Sequence, residues 1–164
     1  MGGTFSGTAT TGNISDTGAL AITGAATFIT GATGSNIILD VASNAFSNSV
    51  EMRADDGSEA FGNITFVDSA AVDFDSSASA NGDLFINAST DGAVGGNLIV
   101  TATTGNITQN AALTVTGTTT LTTSANDATI TLNNTSNAFT GAMTITTNDV
   151  SGDVTIDGGT TALN

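Results

Sequence analysis

This chain has 164 residues and a formal net charge of −14, with fifteen acidic residues against one arginine, Arg53, and no histidine, cysteine, proline, tryptophan or tyrosine. That inventory excludes most enzyme mechanisms, which draw on histidine, a thiol or an amine for proton transfer and nucleophilic attack. A polyanion would be repelled, so nucleic acid is excluded as a partner, and the same charge opposes adsorption to anionic lipid.

Along the chain, Thr8-Ala9-Thr10-Thr11-Gly12-Asn13-Ile14 returns unchanged as Thr101-Ala102-Thr103-Thr104-Gly105-Asn106-Ile107, an offset of 93. The likeness continues without a gap through Met52 and Ile145, and where letters differ the apolar positions survive. A fixed period marks an architecture built by stacking one unit on the next.

Apolar-x-apolar triplets inside the repeat predict half-buried strands, because side chains alternate across a strand. They fall into three interleaved columns. The first runs Ile14, Ile37 with Leu39, Ile64 with Phe66, Leu84 with Ile86, Ile107, Ile130 with Leu132, and Val154 with Ile156, in steps of 23, 27, 20, 23, 23 and 24. The second holds Leu20 with Ile22, Phe46, Val72 with Phe74, Val94, Leu113 with Val115, Phe139 and Leu163. The third holds Phe28, Val50 with Met52, Leu98 with Val100, Leu121, and Met143 with Ile145, and is empty near Ser77-Ala78-Ser79-Ala80. Four consecutive steps of the first column make one long repeat.

Three short strands per turn of roughly 23 residues predict an all-β fold, a parallel β-solenoid of about seven coils. At roughly 4.8 Å between strands it would be about 35 Å long. Residues 1–164 form one solenoid domain, with repeat copy one at 8–100 and a partial copy two at 101–164. Gly12-Asn13, Gly62-Asn63, Gly96-Asn97 and Gly105-Asn106 each precede an apolar strand residue. They read as ordinary turn chemistry, with a stacked asparagine ladder as the alternative.

No run approaches the ~18 apolar residues of a membrane span, and Met1-Gly2-Gly3-Thr4 lacks the basic start of a secretory signal. Neither terminus shows a capping helix, and Thr160-Thr161-Ala162-Leu163-Asn164 continues the interior pattern. An uncapped solenoid offers unpaired backbone and an apolar cross-section. The expected partner is therefore the chain itself, as an end-to-end homopolymer or as neighbouring repeats.

The run from Gly105 to Thr122, followed by Ala128-Thr129-Ile130-Thr131-Leu132-Asn133-Asn134 and Asn137-Ala138-Phe139-Thr140-Gly141, resembles the tandem repeats of giant bacterial surface proteins of the filamentous-haemagglutinin group of adhesins. The resemblance covers essentially the whole chain, most strongly residues 96 to 145. It implies a right-handed parallel β-helix, exported to the cell surface or medium and working as a non-enzymatic stalk or fibre. A surface glycan or host surface is the further partner it suggests.

Ten of the fifteen acidic residues lie between Asp40 and Asp91. Clustered carboxylates attract hard cations, so calcium is the one cofactor candidate, with Asp55, Asp56, Glu59, Asp73, Asp75 and Asp83 as ligands. A solvated acidic face is the plainer reading. Two further alternatives stand beside the stalk. Threonine arrays such as Thr118-Thr119-Thr120 and Thr144-Ile145-Thr146 suggest an ice-binding solenoid, against which stand uneven coil lengths and Glu51 and Arg53 as column neighbours. A carbohydrate-binding or carbohydrate-cleaving β-helix would use Asp73 with Asp75, or Asp55 with Asp56, as paired carboxylates. Phe61 and Phe85 lie out of phase with the columns and are expected outside the core.

Overall fold

The computed structural model describes residues 1–55, 61–77, 82–86 and 93–164, and is all-β, with nineteen strands and no helix among those residues. Two coils open the chain: β1 (Phe5–Ala9), β2 (Ile14–Ser15) and β3 (Ala21–Ile22), then β4 (Ala26–Thr30), β5 (Ile37–Leu39) and β6 (Ala45–Phe46). β7 (Val50–Ala54) and β8 (Ile64–Asp68) begin a third, and β9 (Val72–Asp75) and β10 (Asp83–Ile86) follow. The path then resumes through β11 (Ala93–Val94), β12 (Leu98–Ala102), β13 (Ile107–Gln109), β14 (Thr114–Val115), β15 (Thr119–Thr123), β16 (Ile130–Leu132), β17 (Ala138–Phe139), β18 (Met143–Thr146) and β19 (Val154–Ile156).

Every strand pairing is parallel. Eight strands form one sheet in the order β1-β4-β7-β10-β9-β13-β16-β19, and six form a second in the order β18-β15-β12-β8-β5-β2. Two narrow sheets, β3-β6 and β11-β14-β17, close the coils. The strands are rich in Thr, Ile, Val and Phe, which suit a pleated surface buried on one side. Their alternation is plain in β15, where Thr119, Leu121 and Thr123 are buried and Thr120 and Thr122 face outward.

This is a parallel β-solenoid with three strands per coil on either side of an irregular middle. In the first half a coil leaves the eight-stranded sheet, turns through a corner such as residues 10–13 into the six-stranded sheet, and returns by way of a narrow sheet. In the second half the corner at residues 103–106 leads the other way, from the six-stranded sheet into the eight-stranded one. The sense of travel is kept, since all strands remain parallel. The coil has instead been rotated by half a turn relative to its sheets.

The middle strands produce that rotation. β9 enters the eight-stranded sheet where the first-half pattern would place a narrow strand, and β10 joins the same sheet between β7 and β9. The continuous columns of the sequence therefore divide. Ile64 stands beside Leu98, not Leu84, while Leu84 pairs with Val50 and Phe74. Val72 and Phe74 lie in the eight-stranded sheet instead of continuing the column of Phe46. Ile64-x-Phe66, Leu84-x-Ile86 and Leu98-x-Val100 are interchangeable in shape and hydrophobicity, so spacing alone selected the wrong neighbour. The gap near Ser77 falls largely on residues 78–81, outside the described residues.

One continuous core fills the solenoid. Ile37, Leu39, Phe46, Ile64, Phe66, Leu84, Ile86, Ile107, Leu113, Val115, Leu121, Ile130, Leu132 and Phe139 are buried within it, and Ile14, Met143, Ile145 and Ile156 pack against it partly exposed. Val154 differs from its column mates at 46 % exposure, because β19 ends its sheet and has no further strand to cover it. In the first half Phe5, Phe28, Phe46 and Phe66 make successive ring contacts at 5.1, 6.2 and 5.2 Å. Such pairs add roughly 0.5–1.5 kcal/mol each beyond area burial. Phe85 is half-buried on the outer side of β10, and Phe61 lies so close over Gly95 that a side chain there would overlap its ring.

Candidate functional site

The chemistry of a solenoid that stacks lies in its corners, where buried backbone must find partners. The Gly-Asn pairs at the approach to the six-stranded sheet form a ladder and not isolated turns. Asn36 donates its N–H to Asn13 Oδ1 at 2.8 Å, Asn63 to Asn36 Oδ1 at 2.7 Å, Asn97 to Asn63 Oδ1 at 2.8 Å, and Thr118 to Asn97 Oδ1 at 2.8 Å. Each side chain thereby fixes the coil above it. Glycine is required beside the ladder: a Cβ on Gly96, Gly117 or Gly141 would overlap the carbonyl of the glycine one coil below. At the corresponding corner of the other sheet, Thr129 donates to Asn106 Oδ1 at 2.9 Å.

A second corner buries its polar groups. Asn44 is fully buried; its Oδ1 accepts the Leu20 N–H at 2.9 Å and its amide donates to Asp16 Oδ2 at 2.6 Å. One repeat later, buried Asn137 accepts the Leu113 N–H at 2.9 Å and exchanges two hydrogen bonds with Gln109, at 2.7 and 2.9 Å. Its amide also reaches the Asp157 carbonyl at 2.9 Å. Sequence reasoning passed over this pair, although Ser-Asn-Ala-Phe is identical in both copies.

The acidic side chains separate on inspection. Asp83 stands directly opposite Asp73, and Asp75 opposite Phe85. Asp73 accepts the Thr108 hydroxyl at 2.9 Å and the Asn110 amide at 2.6 Å. Burial, aided by repulsion from Asp83 and Asp75, holds its carboxyl above the ordinary range against the lowering effect of Thr108. Asp55 is buried beside the bridge to Phe61. Asp56 and Glu59 lie outside the described residues. Among the described residues, no three or more Asp, Glu, His or Cys side chains are arranged to hold a metal ion.

The repetition of these corners agrees with what similarity finds. A family model for repeats of unknown function (DUF5649) matches residues 1–53 and 61–146. The chain belongs to this family. No curated protein and no solved structure matches it.

The outermost described coils of this DUF5649 solenoid cover their core residues only in part. At the first coil, an open cavity of about 420 Å³ lies between β1 and β2, lined by Phe5, Ile14, Leu20, Phe28 and Leu39, with Asp16 at its side. At the last coil, Met143, Ile145 and Ile156 are partly exposed and Leu163 is 47 % exposed. The backbone there stays in phase. Met143 donates to the Asn164 carbonyl at 2.9 Å, as Phe5 does to Ala25, Ala26 to Ser49 and Thr119 to Ala142.

Proposed function

We propose that this chain is a length-giving segment of an extracellular fibre or adhesin stalk, without a catalytic role, whose partner is the next coil from a second copy or from continuing repeats. The observation that carries this reading is the corner ladder, in which Asn13, Asn36, Asn63 and Asn97 each accept a backbone N–H from the next coil. Asn44 and Asn137 supply a second such corner, one in each copy, by accepting the Leu20 and Leu113 N–H groups. Coils that fix one another in this way lengthen by adding further parallel strands to each sheet. Placement at the cell surface is supported by the acidic, threonine-rich composition and by the resemblance of residues 96 to 145 to surface-protein repeats.

A tandem fusion joining Asn164 to Phe5 of a second copy tests the reading. A stalk segment should give one rigid rod of about twice the single-copy length, near 70 Å at the strand spacing of a sheet, by small-angle scattering and negative-stain images. Two bodies joined by a hinge would contradict it. Proteolytic release of the chain from the surface of intact expressing cells should accompany the rod, and complete protection would place the segment elsewhere.

A further inference from the structure

The outer side of the six-stranded sheet is built from uncharged side chains along its paired strands, unlike the eight-stranded sheet, which carries Glu51, Arg53, Asp73 and Asp75. Its outward positions form two rows. One holds Ser15, Ile38, Thr65, Ile99, Thr120 and Thr144, and the other begins at Val67, which is buried at 8 % exposure, and continues through Thr101, Thr122 and Thr146. None of these residues is charged, in a chain whose net charge is −14. Glu51 and Arg53 do not interrupt the rows. The pairing places them in the eight-stranded sheet beside Thr27 and Ile29, which removes them as neighbours of the threonines. Uneven coil lengths do not interrupt the rows either, because corners absorb them. β12 pairs β15 over five residues and β15 pairs β18 over four, without a bulge.

The hydroxyls of this face are uncommitted. Thr65, Thr101, Thr120, Thr122, Thr144 and Thr146 make no side-chain hydrogen bond among the described residues, whereas Thr108 on the other sheet is held by Asp73. β-Branched side chains are stiff at χ1, so hydroxyl and methyl recur at fixed points, about 4.8 Å apart across strands and roughly 6.7 Å apart along them. A two-dimensional array of fixed hydroxyls alternating with methyls matches a ligand that is itself periodic in two dimensions and hydrogen-bonds everywhere. Crystalline polysaccharide meets that description less well, since its sugar faces call for aromatic platforms and these rows contain none.

The geometry points to an ice-binding face formed by the outward side of β8, β12, β15 and β18, with Thr65, Thr101, Thr120, Thr122, Thr144 and Thr146 ordering water into register with the crystal. It does not depend on the stalk role. The methyls exclude loosely held water, and the hydroxyls supply both donors and acceptors to the ordered layer. Rigidity of the stacked sheet removes the ordering cost that a flexible hydroxyl surface would carry.

The test is growth of single ice crystals in solutions of the 164-residue chain, with measurement of the gap between melting and freezing. The chain should shape the crystals and open a measurable gap. Thr120→Lys combined with Thr122→Lys should abolish both, while Thr131→Lys on β16 of the other sheet should leave both unchanged. Thermal melting by circular dichroism reports folding, and Thr144→Lys on the exposed end strand carries the same prediction if the β15 pair unfolds. Absence of shaping by the unaltered chain would overturn the assignment, as would equal activity in the β15 and β16 variants. Concentration-dependent association lost in the β15 variant, with no effect on ice, would assign the face to a second copy and overturn it as well.

Discussion

The first and second copies of the repeat share a corner of seven identical residues, yet Ile14 enters the six-stranded sheet and Ile107 the eight-stranded one. What the repeat encodes is therefore a path from one strand to the next, and the sheet that receives it depends on the strands already in place. The two copies also perform the same local tasks with different chemistry. Asn44 is paired with a carboxylate, Asp16, and Asn137 with an amide, Gln109. Phe46 donates its N–H to Asp68, and Phe139 donates to the Thr161 hydroxyl, both at 3.2 Å. At these two positions the first copy uses a carboxylate where the second uses a neutral group.

The largest effect should come from removing the buried asparagines common to both copies. Asn137→Ala leaves the Leu113 N–H without a partner inside the protein and takes from Gln109 both of its bonds to Asn137, leaving it only the Ala111 carbonyl and the Asn134 N–H, and should cost about 3 kcal/mol in denaturant unfolding. Asn44→Ala should cost a similar amount at neutral pH. If either were near neutral, these corners would not be what fixes one coil on the next.

Thr119 offers a gain. It occupies the position of Ala26, is fully buried, and its hydroxyl has no partner. Thr119→Val keeps the shape and removes the unsatisfied group, so stability should rise by about 1–2 kcal/mol. A loss on the same unfolding curve would show that the hydroxyl is satisfied in solution.

Charge in the first copy predicts a pH dependence. Burial raises the Asp68 carboxyl above its ordinary value, against backbone hydrogen bonds from Phe46, Ala70 and Ser69, and Asp73 is raised for the same leading reason. In the window between the unfolded and folded values the folded chain binds more protons, so stability is full below it and falls as pH rises through it. Thermal midpoints should therefore increase on acidification from neutral toward about pH 4, the ordinary carboxylate range. Asp68→Asn retains the acceptor oxygen and should flatten that slope, whereas Thr161→Ser in the second copy should leave it unchanged.

The smallest effect concerns the backbone. Gly34 and its repeat equivalent Asp127 both lie in the left-handed region, at φ 66° and 59°. Asp127→Gly relieves the Cβ crowding at a modest cost in unfolded-chain entropy, for a net gain of roughly 0.5 kcal/mol. A clear loss would show that the Asp127 side chain contributes an interaction that Gly34 lacks.

Much of this architecture was legible in the residues. The inward members of each strand follow from apolar alternation, and the Gly-Asn corners stand out as turns. The half-turn at the middle was not legible, because Ile64, Leu84 and Leu98 begin triplets that any parallel neighbour would accept. The asparagine ladder needed the register as well: whether Asn63 meets Asn97 depends on which coil lies above it. Asn44 and Asn137 were visible as identical letters, but an asparagine in a threonine-rich loop gives no sign of burial until its neighbours are placed. The threonine face was obscured for the same reason, since a single assumed column mixed residues from both sheets.

A pair of engineered cysteines tests the half-turn most directly, in a chain that has no cysteine of its own. Thr65 is the direct neighbour of Ile99 across β8 and β12, while Phe85 lies in the other sheet. Paired strand positions fall within the Cα separation that a disulfide spans. Thr65→Cys with Ile99→Cys should close to a disulfide under mild oxidation, and Thr65→Cys with Phe85→Cys should remain reduced. Closure of the second pair and not the first would mean that the columns run unbroken and that the coils do not turn.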